Sequence, residues 1–294
     1  MPHEGETHEP HGRAMSGRVA GKVALVTGAA RGQGRSHAVR LAEEGADIIA
    51  IDIAAPVDVV AYDGATMEDL EETVRLIEAL DRRVLARQVD VRQRSDLQGV
   101  VTDGIAEFGR LDIVVPNAGI CPPGAPFWEI SEHEWATVLA INLTGVWNTV
   151  SVAVPPMIEA GKGGSVVLTS SSSAIKSPPN LSDYSASKKG VIALMETMAV
   201  ELGAHYIRVN AICPGSVDTP MIQNEAMYRF VRPELENPSR EDCAEVFRSM
   251  NPIPEPWVAP RDISNAVVWL ASDESRFITG VTLPVDLGLV VNWF

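Results

Sequence analysis

Residues 22–34 read Lys-Val-Ala-Leu-Val-Thr-Gly-Ala-Ala-Arg-Gly-Gln-Gly, and this stretch decides the fold class. Its first six residues form a short apolar run that fits a buried parallel strand. Gly28, Gly32 and Gly34 then allow a tight turn and a close approach of the backbone to a pyrophosphate. A helix predicted over 36–44 offers free N–H groups and a partial positive charge to the same phosphates. We therefore predict a dinucleotide-binding unit.

A second predicted strand ends in an acidic residue. The run Asp47-Ile-Ile-Ala-Ile51 leads into Asp52, about the expected distance past the glycines. A carboxylate there accepts hydrogen bonds from the adenosine ribose hydroxyls and repels a 2′-phosphate. Arg31 is the opposing signal, because a basic side chain beside the glycines can reach a 2′-phosphate. We give Asp52 more weight and predict NAD; the alternative is a plain turn followed by a solvated strand end.

A carbonyl/alcohol redox site is predicted near the middle of the chain. Tyr184-Ser-Ala-Ser-Lys188 places Tyr184 and Lys188 four residues apart on one face of a predicted helix. The ammonium is expected to lower the pKa of the tyrosine towards that of a working acid/base. Ser171, thirteen residues before Tyr184, can hydrogen-bond the substrate oxygen. The spacing alone selects Ser171 from its serine neighbours.

Strands and helices alternate along the rest of the chain, without an internal repeat or a linker. This order predicts a single-domain α/β fold, a Rossmann-type doubly wound parallel sheet with helices on both faces. Residues 1–20 are expected to be a disordered extension, and 21–294 the NAD-binding and catalytic domain. Within it, 53–66 is too long for an ordinary link and is expected to be a flap over the cofactor, or else an insertion without a role.

Composition argues against several functions. The formal net charge of −15 disfavours nucleic acid and anionic membrane partners. The three cysteines are widely spaced and give neither a disulfide framework nor a metal site. The sequence shows no secretory signal and no uninterrupted apolar span of membrane length. We expect a cytoplasmic enzyme with a small-molecule substrate and no metal.

Taken together, these motifs resemble the short-chain dehydrogenase/reductase family from about residue 20 to 288. The resemblance rests on a glycine pattern starting at Thr27 and on four later segments, Asp90-Val91, Asn117-Ala118-Gly119, Asn142-Leu-Thr-Gly145 and Pro214-Gly215-Ser-Val217-Asp-Thr219-Pro220. Within the family, the sequence of the glycine loop and the 53–66 insertion resemble those of the branch that contains carveol-type and mycofactocin-associated dehydrogenases.

The resemblance implies a role for each matching residue. Asn142 becomes the fourth catalytic residue beside Ser171, Tyr184 and Lys188, holding a water that links Lys188 to solvent; the plainer reading of Asn142 is a packing amide. The implied cofactor contacts are Gly28, Arg31, Gly32, Gln33, Gly34, Asp52, Asp90, Val91, Asn117, Ala118, Gly119, Tyr184, Lys188, Pro214, Gly215, Val217 and Thr219.

The expected reaction is NAD-dependent interconversion of a secondary alcohol and its ketone. Residues 220–260 lie where the family has a substrate lid, and residues 121–128 are expected to form a second wall of the substrate site. The apolar content of the lid favours a hydrophobic or cyclic alcohol. The branch implies NAD that stays bound and is reoxidised by mycofactocin, and the family implies a homotetramer paired through helices near 131–160 and 182–203, with help from the 290–294 tail. The rivals are a 3-oxoacyl-thioester reductase, which Asp52 and the acidic balance disfavour, and a non-catalytic nucleotide sensor.

Overall fold

The computed structural model describes residues 17–292, and a seven-stranded, entirely parallel sheet lies at their centre. The strands follow the order β3-β2-β1-β4-β5-β6-β7 across the sheet. In chain order they are β1 (Val23–Thr27), β2 (Asp47–Asp52), β3 (Val84–Gln88), β4 (Ile113–Val115), β5 (Gly164–Thr169), β6 (Ile207–Pro214) and β7 (Thr282–Val285). The order reverses between β1 and β4, and a ligand crevice is expected beyond the carboxyl ends of these two strands.

Helices cover both faces of the sheet, which confirms the predicted fold class. They are α1 (Gly32–Glu43), α2 (Met67–Glu78), α3 (Arg94–Phe108), α4 (Glu132–Leu139), α5 (Gly145–Ala160), α6 (Ser182–Leu202), α7 (Glu225–Val231), α8 (Arg240–Met250) and α9 (Pro260–Ala271). One buried apolar cluster joins the sheet to α3, α5 and α6, and a second joins it to α1, α2 and α9. The five central strands are buried on both sides and therefore read as nearly continuous apolar runs, whereas the edge strands β3 and β7 are partly exposed.

The helix predicted over 131–160 is interrupted. Between α4 and α5 the backbone forms a five-residue π-helix, Ala140–Thr144, which contains Asn142. Such π turns are rare and often mark functional positions. The span Glu132–Ala160 is long and apolar enough to cross a membrane, but 67% of its most apolar window is buried inside the fold, as in the core helix of a globular protein.

Two segments outside the regular elements are ordered by packing. Val57, Val59 and Val60 of the insertion pack against the buried cluster beside α3, α5 and α6. At the other end, Val19 is fully buried and the backbone N–H of Arg18 donates to the Glu44 carboxylate at 2.9 Å. The predicted boundary at residue 21 is therefore too late, because 17–20 belong to the packed domain; residues 1–16 of the predicted extension lie outside the described residues.

His37 ties α1 to α9 and gives the fold a dependence on pH. Its Nδ1 lies 2.8 Å from the Ser264 hydroxyl, and complete burial lowers the pKa of the imidazole to about 3. An unfolded histidine titrates near 6.5, so only the unfolded chain takes up this proton between about pH 6.5 and 3. The free energy of unfolding should therefore fall by about 1.4 kcal/mol per pH unit below pH 6.5.

Urea unfolding at pH 7 and pH 5 measures this loss. His37→Gln keeps a polar side chain but does not titrate, so its free energy of unfolding should depend less on pH than that of the wild type. An equal pH dependence in both proteins would show that other groups carry the effect.

Candidate active site

A single cavity of about 710 Å³ runs along the carboxyl ends of the strands. All seventeen residues predicted to contact the cofactor line it, from Gly28 after β1 to Thr219 after β6. Three of the four predicted catalytic residues line it as well. Asn142 lies behind the wall, where its neighbour Ile141 faces the cavity. The sheet topology therefore brings segments that are far apart in sequence to one crevice, as doubly wound sheets do.

The glycine turn is shaped for a phosphate. Gly28 has φ +67° and Gly32 has φ +55°, in the left-handed region that favours glycine. A Cβ on Gly34 would lie 1.8 Å from the Gly28 carbonyl oxygen, so only glycine fits there. The α1 N-terminus carries no side-chain cap and no acidic residue in its first turn. Its N–H groups are therefore available to an anion, and the residues present fit a dinucleotide pyrophosphate.

Gln33 and Thr169 support the same fit. Among the described residues, the buried Gln33 Oε1 and Thr169 Oγ1 have no hydrogen-bond partner, and both side chains belong to residues that line the cavity. Buried polar atoms are normally paired, so a polar ligand is the expected partner of both atoms.

Asp52 and Arg31, the two opposing signals for cofactor choice, are held differently. Asp52 ends β2, and its carboxylate accepts the N–H groups of Ala30 at 3.0 Å and Ala54 at 2.9 Å at the cavity edge. The Arg31 guanidinium instead donates to the Asp63 carbonyl and lies 6.0 Å from the centroid of the Tyr62 ring. Arg31 is thus engaged with the insertion, which leaves Asp52 as the charged group fixed to the glycine turn.

The walls after β3 and β4 are also built from the predicted residues. The Asp90 carboxylate accepts from the Arg92 side chain at 2.8 Å and from its backbone N–H at 2.9 Å. Asn117 donates to the Thr27 carbonyl at 3.0 Å, and the Thr27 hydroxyl accepts the N–H groups of Asn117 and Ala118, both at 2.9 Å. These bonds fix the backbone beside the glycine turn.

Ser171, Tyr184 and Lys188 line the same cavity. Ser171 follows β5, and its side chain is near enough to lower the pKa of Tyr184, which α6 presents together with Lys188. Lys188 Nζ donates to the Thr169 carbonyl at 3.0 Å and lies 5.8 Å from the centroid of the Tyr184 ring. The neighbouring Ser170 hydroxyl instead donates to the Lys188 carbonyl at 2.8 Å, so it supports the helix rather than the substrate.

The expected effect of Lys188 on Tyr184 is not what the structure shows. Burial raises the pKa of Tyr184, and the hydrogen bond from Ser171 opposes this only in part. Burial also lowers the pKa of Lys188 to about 8. Both groups share one desolvated space, so burial penalises both charges; the expectation from helix spacing omitted this desolvation. Near neutral pH the buried pair is therefore a neutral phenol beside an ammonium.

Asn142 is held by the segment that follows β4. Its Oδ1 accepts the N–H of Ile120 and its Nδ2 donates to the carbonyl of Ile120, both at 2.8 Å. A Cβ on Gly119 would lie 3.2 Å from both Asn142 Oδ1 and Lys188 Nζ. The π-helix thus places the Asn142 amide near Lys188, and its catalytic role stays a prediction.

The substrate end is apolar and only partly as predicted. The lid residues Met221, Met227, Phe230, Phe247 and Met250 line the cavity, as the sequence indicates. Tyr228 and Trp257 do not: the Tyr228 hydroxyl donates to Gln223 at 2.8 Å, and Trp257 stacks edge-on against Phe247. In the predicted second wall Cys121 lines the cavity, but Phe127 and Trp128 are 70% and 71% exposed and were assigned wrongly.

Several wall residues were not singled out from the sequence, although the insertion 53–66 was expected to be a flap over the cofactor. Val57, Val60 and Tyr62 of the insertion line the cavity, as do Lys176, Pro178 and Leu181 before α6, and Leu289 near the C-terminus. The valines of the insertion could have indicated this, because apolar side chains in a loop of that length are expected to pack against another part of the protein. Leu289 carried no signal, since a turn after β7 could lead in any direction.

The C-terminal tail is hydrogen-bonded to the lid and to the loop before α6. The Asn292 side chain donates to the Met250 carbonyl at 2.9 Å, and Lys176 Nζ donates to the Asn292 carbonyl. The tail through residue 292 therefore joins α8 to the loop before α6. The last two residues of the tail lie outside the described residues.

Among the described residues no group of three or more His, Cys, Asp or Glu side chains could hold a metal ion, and the three cysteines are free.

Comparison with known proteins agrees with this arrangement. A family model described as enoyl-(acyl carrier protein) reductase matches residues 28–290. The chain is 47% identical over 275 residues to the (−)-trans-carveol dehydrogenase of Rhodococcus erythropolis, covering 94% of this chain and 99% of that protein.

Two solved structures are also similar. Carveol dehydrogenase from Mycobacterium avium in complex with NAD superimposes with a TM-score of 0.93 at 54% identity, covering 94% of this chain and 100% of that one. A short chain dehydrogenase from Mycobacterium paratuberculosis bound to NAD gives 0.86 at 45% identity, with the same coverage. On this evidence the chain belongs to the short-chain dehydrogenase/reductase family.

Proposed function

We propose that this protein, an NAD-dependent short-chain oxidoreductase, interconverts a hydrophobic, cyclic secondary alcohol and its ketone. The observation that carries the proposal is one cavity whose wall combines the glycine turn, the apolar lid residues, and Ser171, Tyr184 and Lys188. NAD, when bound, supplies the hydride acceptor. The glycine turn, Asp52 and the backbone beside Asn117 would hold it.

The side chains of the site supply the proton chemistry. In the oxidative direction the Tyr184 hydroxyl, as phenolate, takes the proton of the substrate hydroxyl. Ser171 hydrogen-bonds the substrate oxygen, and the Lys188 ammonium stabilises the charge on Tyr184. Asn142 lies beside Lys188 and would support the exit of the proton towards solvent. Because burial raises the pKa of Tyr184, alcohol oxidation is favoured at higher pH and ketone reduction at lower pH.

The character of the lid supports an apolar substrate. Methionine and phenylalanine side chains from α7, α8 and the preceding loop dominate the substrate end, and methionine adapts to varied shapes. The two carveol dehydrogenases among the relatives act, by their names, on a cyclic alcohol. Both observations favour a cyclic terpene-like alcohol over a sugar.

The insertion supports a cofactor that is released slowly. It is anchored by the bond from Arg31 to the Asp63 carbonyl, by a 2.9 Å bond from Gln88 to the Ile53 carbonyl, and by the 2.8 Å Asp58–His133 pair. Opening the cavity at this side means breaking these contacts. A retained NADH needs an oxidant that comes to it, and we propose a small carrier such as mycofactocin for this step.

The proposed assembly is a homotetramer in the cytoplasm. A groove on α5 and α6 is open in the single chain, and Trp147 beside it is 47% exposed. Its lining residues are Leu143, Thr144, Trp147, Gly190, Ala193, Leu194 and Thr197. An apolar groove on paired helices fits the same face of a second copy.

A 3-oxoacyl-thioester reductase is the second candidate, favoured by a relative named 3-oxoacyl-[acyl-carrier-protein] reductase from Thermotoga maritima, to which the chain is 35% identical over 274 residues. Asp52 at the cavity edge opposes the 2′-phosphate of NADP, and the net charge of −15 opposes docking of an acidic carrier protein. A non-catalytic sensor is disfavoured because Ser171, Tyr184 and Lys188 are all present and in contact.

The test begins with protein purified without added nucleotide. Native mass spectrometry and a cofactor assay on the denatured supernatant should find NAD(H) bound near one per chain. A panel of cyclic secondary alcohols with an artificial electron acceptor should then give turnover that added NAD does not increase. An empty protein that turns over with exchangeable NAD would contradict retention; no turnover with any alcohol, but reduction of a 3-oxoacyl thioester, would favour the second candidate.

A further inference from the structure

Tyr62 lies at a junction between the insertion and the catalytic residues. The Arg31 guanidinium lies 6.0 Å from the centroid of its ring, and its hydroxyl oxygen accepts the backbone N–H of Cys121 at 3.3 Å. Both Tyr62 and Cys121 line the cavity. The insertion therefore does more than cover the adenosine side, because it bonds directly to the segment that follows β4.

That same segment holds Asn142. Both backbone groups of Ile120 are hydrogen-bonded to the Asn142 amide, each at 2.8 Å. Gly119 is packed so closely that a Cβ would lie 3.2 Å from Asn142 Oδ1 and from Lys188 Nζ. A shift of residues 119–121 would therefore displace the Asn142 amide or crowd Lys188.

We propose that Tyr62 is a positioning residue, which couples closure of the insertion to the alignment of Asn142 through its hydrogen bond to Cys121. With the insertion closed, residues 119–121 are held between Tyr62 on one side and Asn142 on the other. With the insertion open, the Cys121 N–H loses its acceptor and the segment can move. The inference rests on the proposed function, since it assigns Tyr62 to the same reaction; a site completed only on closure is a familiar form of induced fit.

The state of the Tyr62 hydroxyl agrees with this role. Burial raises the pKa of Tyr62 to about 12, so the oxygen remains a neutral acceptor across the working pH range. No described residue accepts its own proton, which leaves that proton free for a ligand in the cavity. Bound cofactor or substrate can therefore strengthen the closed arrangement.

Tyr62→Phe tests the inference, because it removes the hydroxyl and keeps the ring under Arg31. We expect kcat to fall about 2- to 10-fold, the effect of one neutral hydrogen bond, while NAD retained through purification stays at the wild-type level. Amide hydrogen exchange in residues 119–121 should become faster. Combined with Asn142→Ala, the two losses in kcat should not multiply, since both act through one group. Tyr206→Phe, at a tyrosine 84% exposed, is the matched control.

The outcomes separate the alternatives. A variant that loses NAD but turns over at the wild-type rate when loaded would show that Tyr62 only covers the cofactor, and would overturn the inference. Unchanged kcat together with unchanged exchange would overturn it as well. If the wild type oxidises no secondary alcohol, the proposed function fails; the exchange measurement still decides whether Tyr62 holds residues 119–121.

Discussion

Replacing Tyr184 with Phe is expected to lower kcat for alcohol oxidation by roughly 10²- to 10⁴-fold, the usual contribution of a positioned acid/base. The side chain lies near Ser171, and Tyr184 and Lys188 are the only titratable residues that α6 contributes to the cavity wall. The phenylalanine ring keeps the volume, so the fold and the bound NAD should remain.

The measurement is single-turnover oxidation followed by NADH absorbance, with retained NAD counted in the same sample. For the wild type, the rate should rise with pH by up to about tenfold per unit below about pH 8, because the phenolate fraction of Tyr184 grows while Lys188 keeps its charge. Tyr184→Phe should lack this rise. A variant that keeps more than a tenth of wild-type kcat would place the proton transfer elsewhere.

Replacing Asp52 with Ala is expected to reduce affinity for NAD by roughly 10- to 100-fold, the range for a charge-assisted hydrogen bond. The carboxylate is 7% exposed and is fixed by the N–H groups of Ala30 and Ala54. Its loss removes the acceptor for ribose hydroxyls and also the repulsion of a 2′-phosphate. The ratio of the affinity for NAD to the affinity for NADP should therefore fall by at least the same factor.

Protein stripped of cofactor and titrated with each nucleotide gives this ratio. Glu68→Gln, which removes one negative charge from the exposed first turn of α2, controls for a general change in field. If Asp52→Ala still prefers NAD to NADP, another group discriminates between the two cofactors. Arg31 would then have to be tested next, because its contact with the insertion would not rule out a contribution to the choice between NAD and NADP.

Local patterns were sufficient to predict the sheet, the glycine turn and the presence of Ser171, Tyr184 and Lys188 in one cavity. Apolar runs bounded by glycines are buried strands almost regardless of context, and a parallel sheet brings all the strand ends to one edge. Asp52, Asn117 and Ser171 each lie at or within two residues of the carboxyl end of such a strand, so their convergence followed from topology. Tyr184 and Lys188 followed from helical spacing.

Other properties depended on contacts between distant segments. The pKa of Tyr184 went the opposite way from the prediction, since desolvation by surrounding elements exceeds the effect of one neighbour on the same helix. Loops without periodic patterns could not be placed, so Phe127 and Trp128 were assigned to a wall that they do not form and Leu289 was missed. The link from Tyr62 through Cys121 and Ile120 to Asn142 joins residues up to 80 positions apart through backbone groups, which have the same chemistry at every residue. Residue identity specifies side-chain chemistry and local periodicity, whereas burial and backbone pairing are set only when the whole chain has packed.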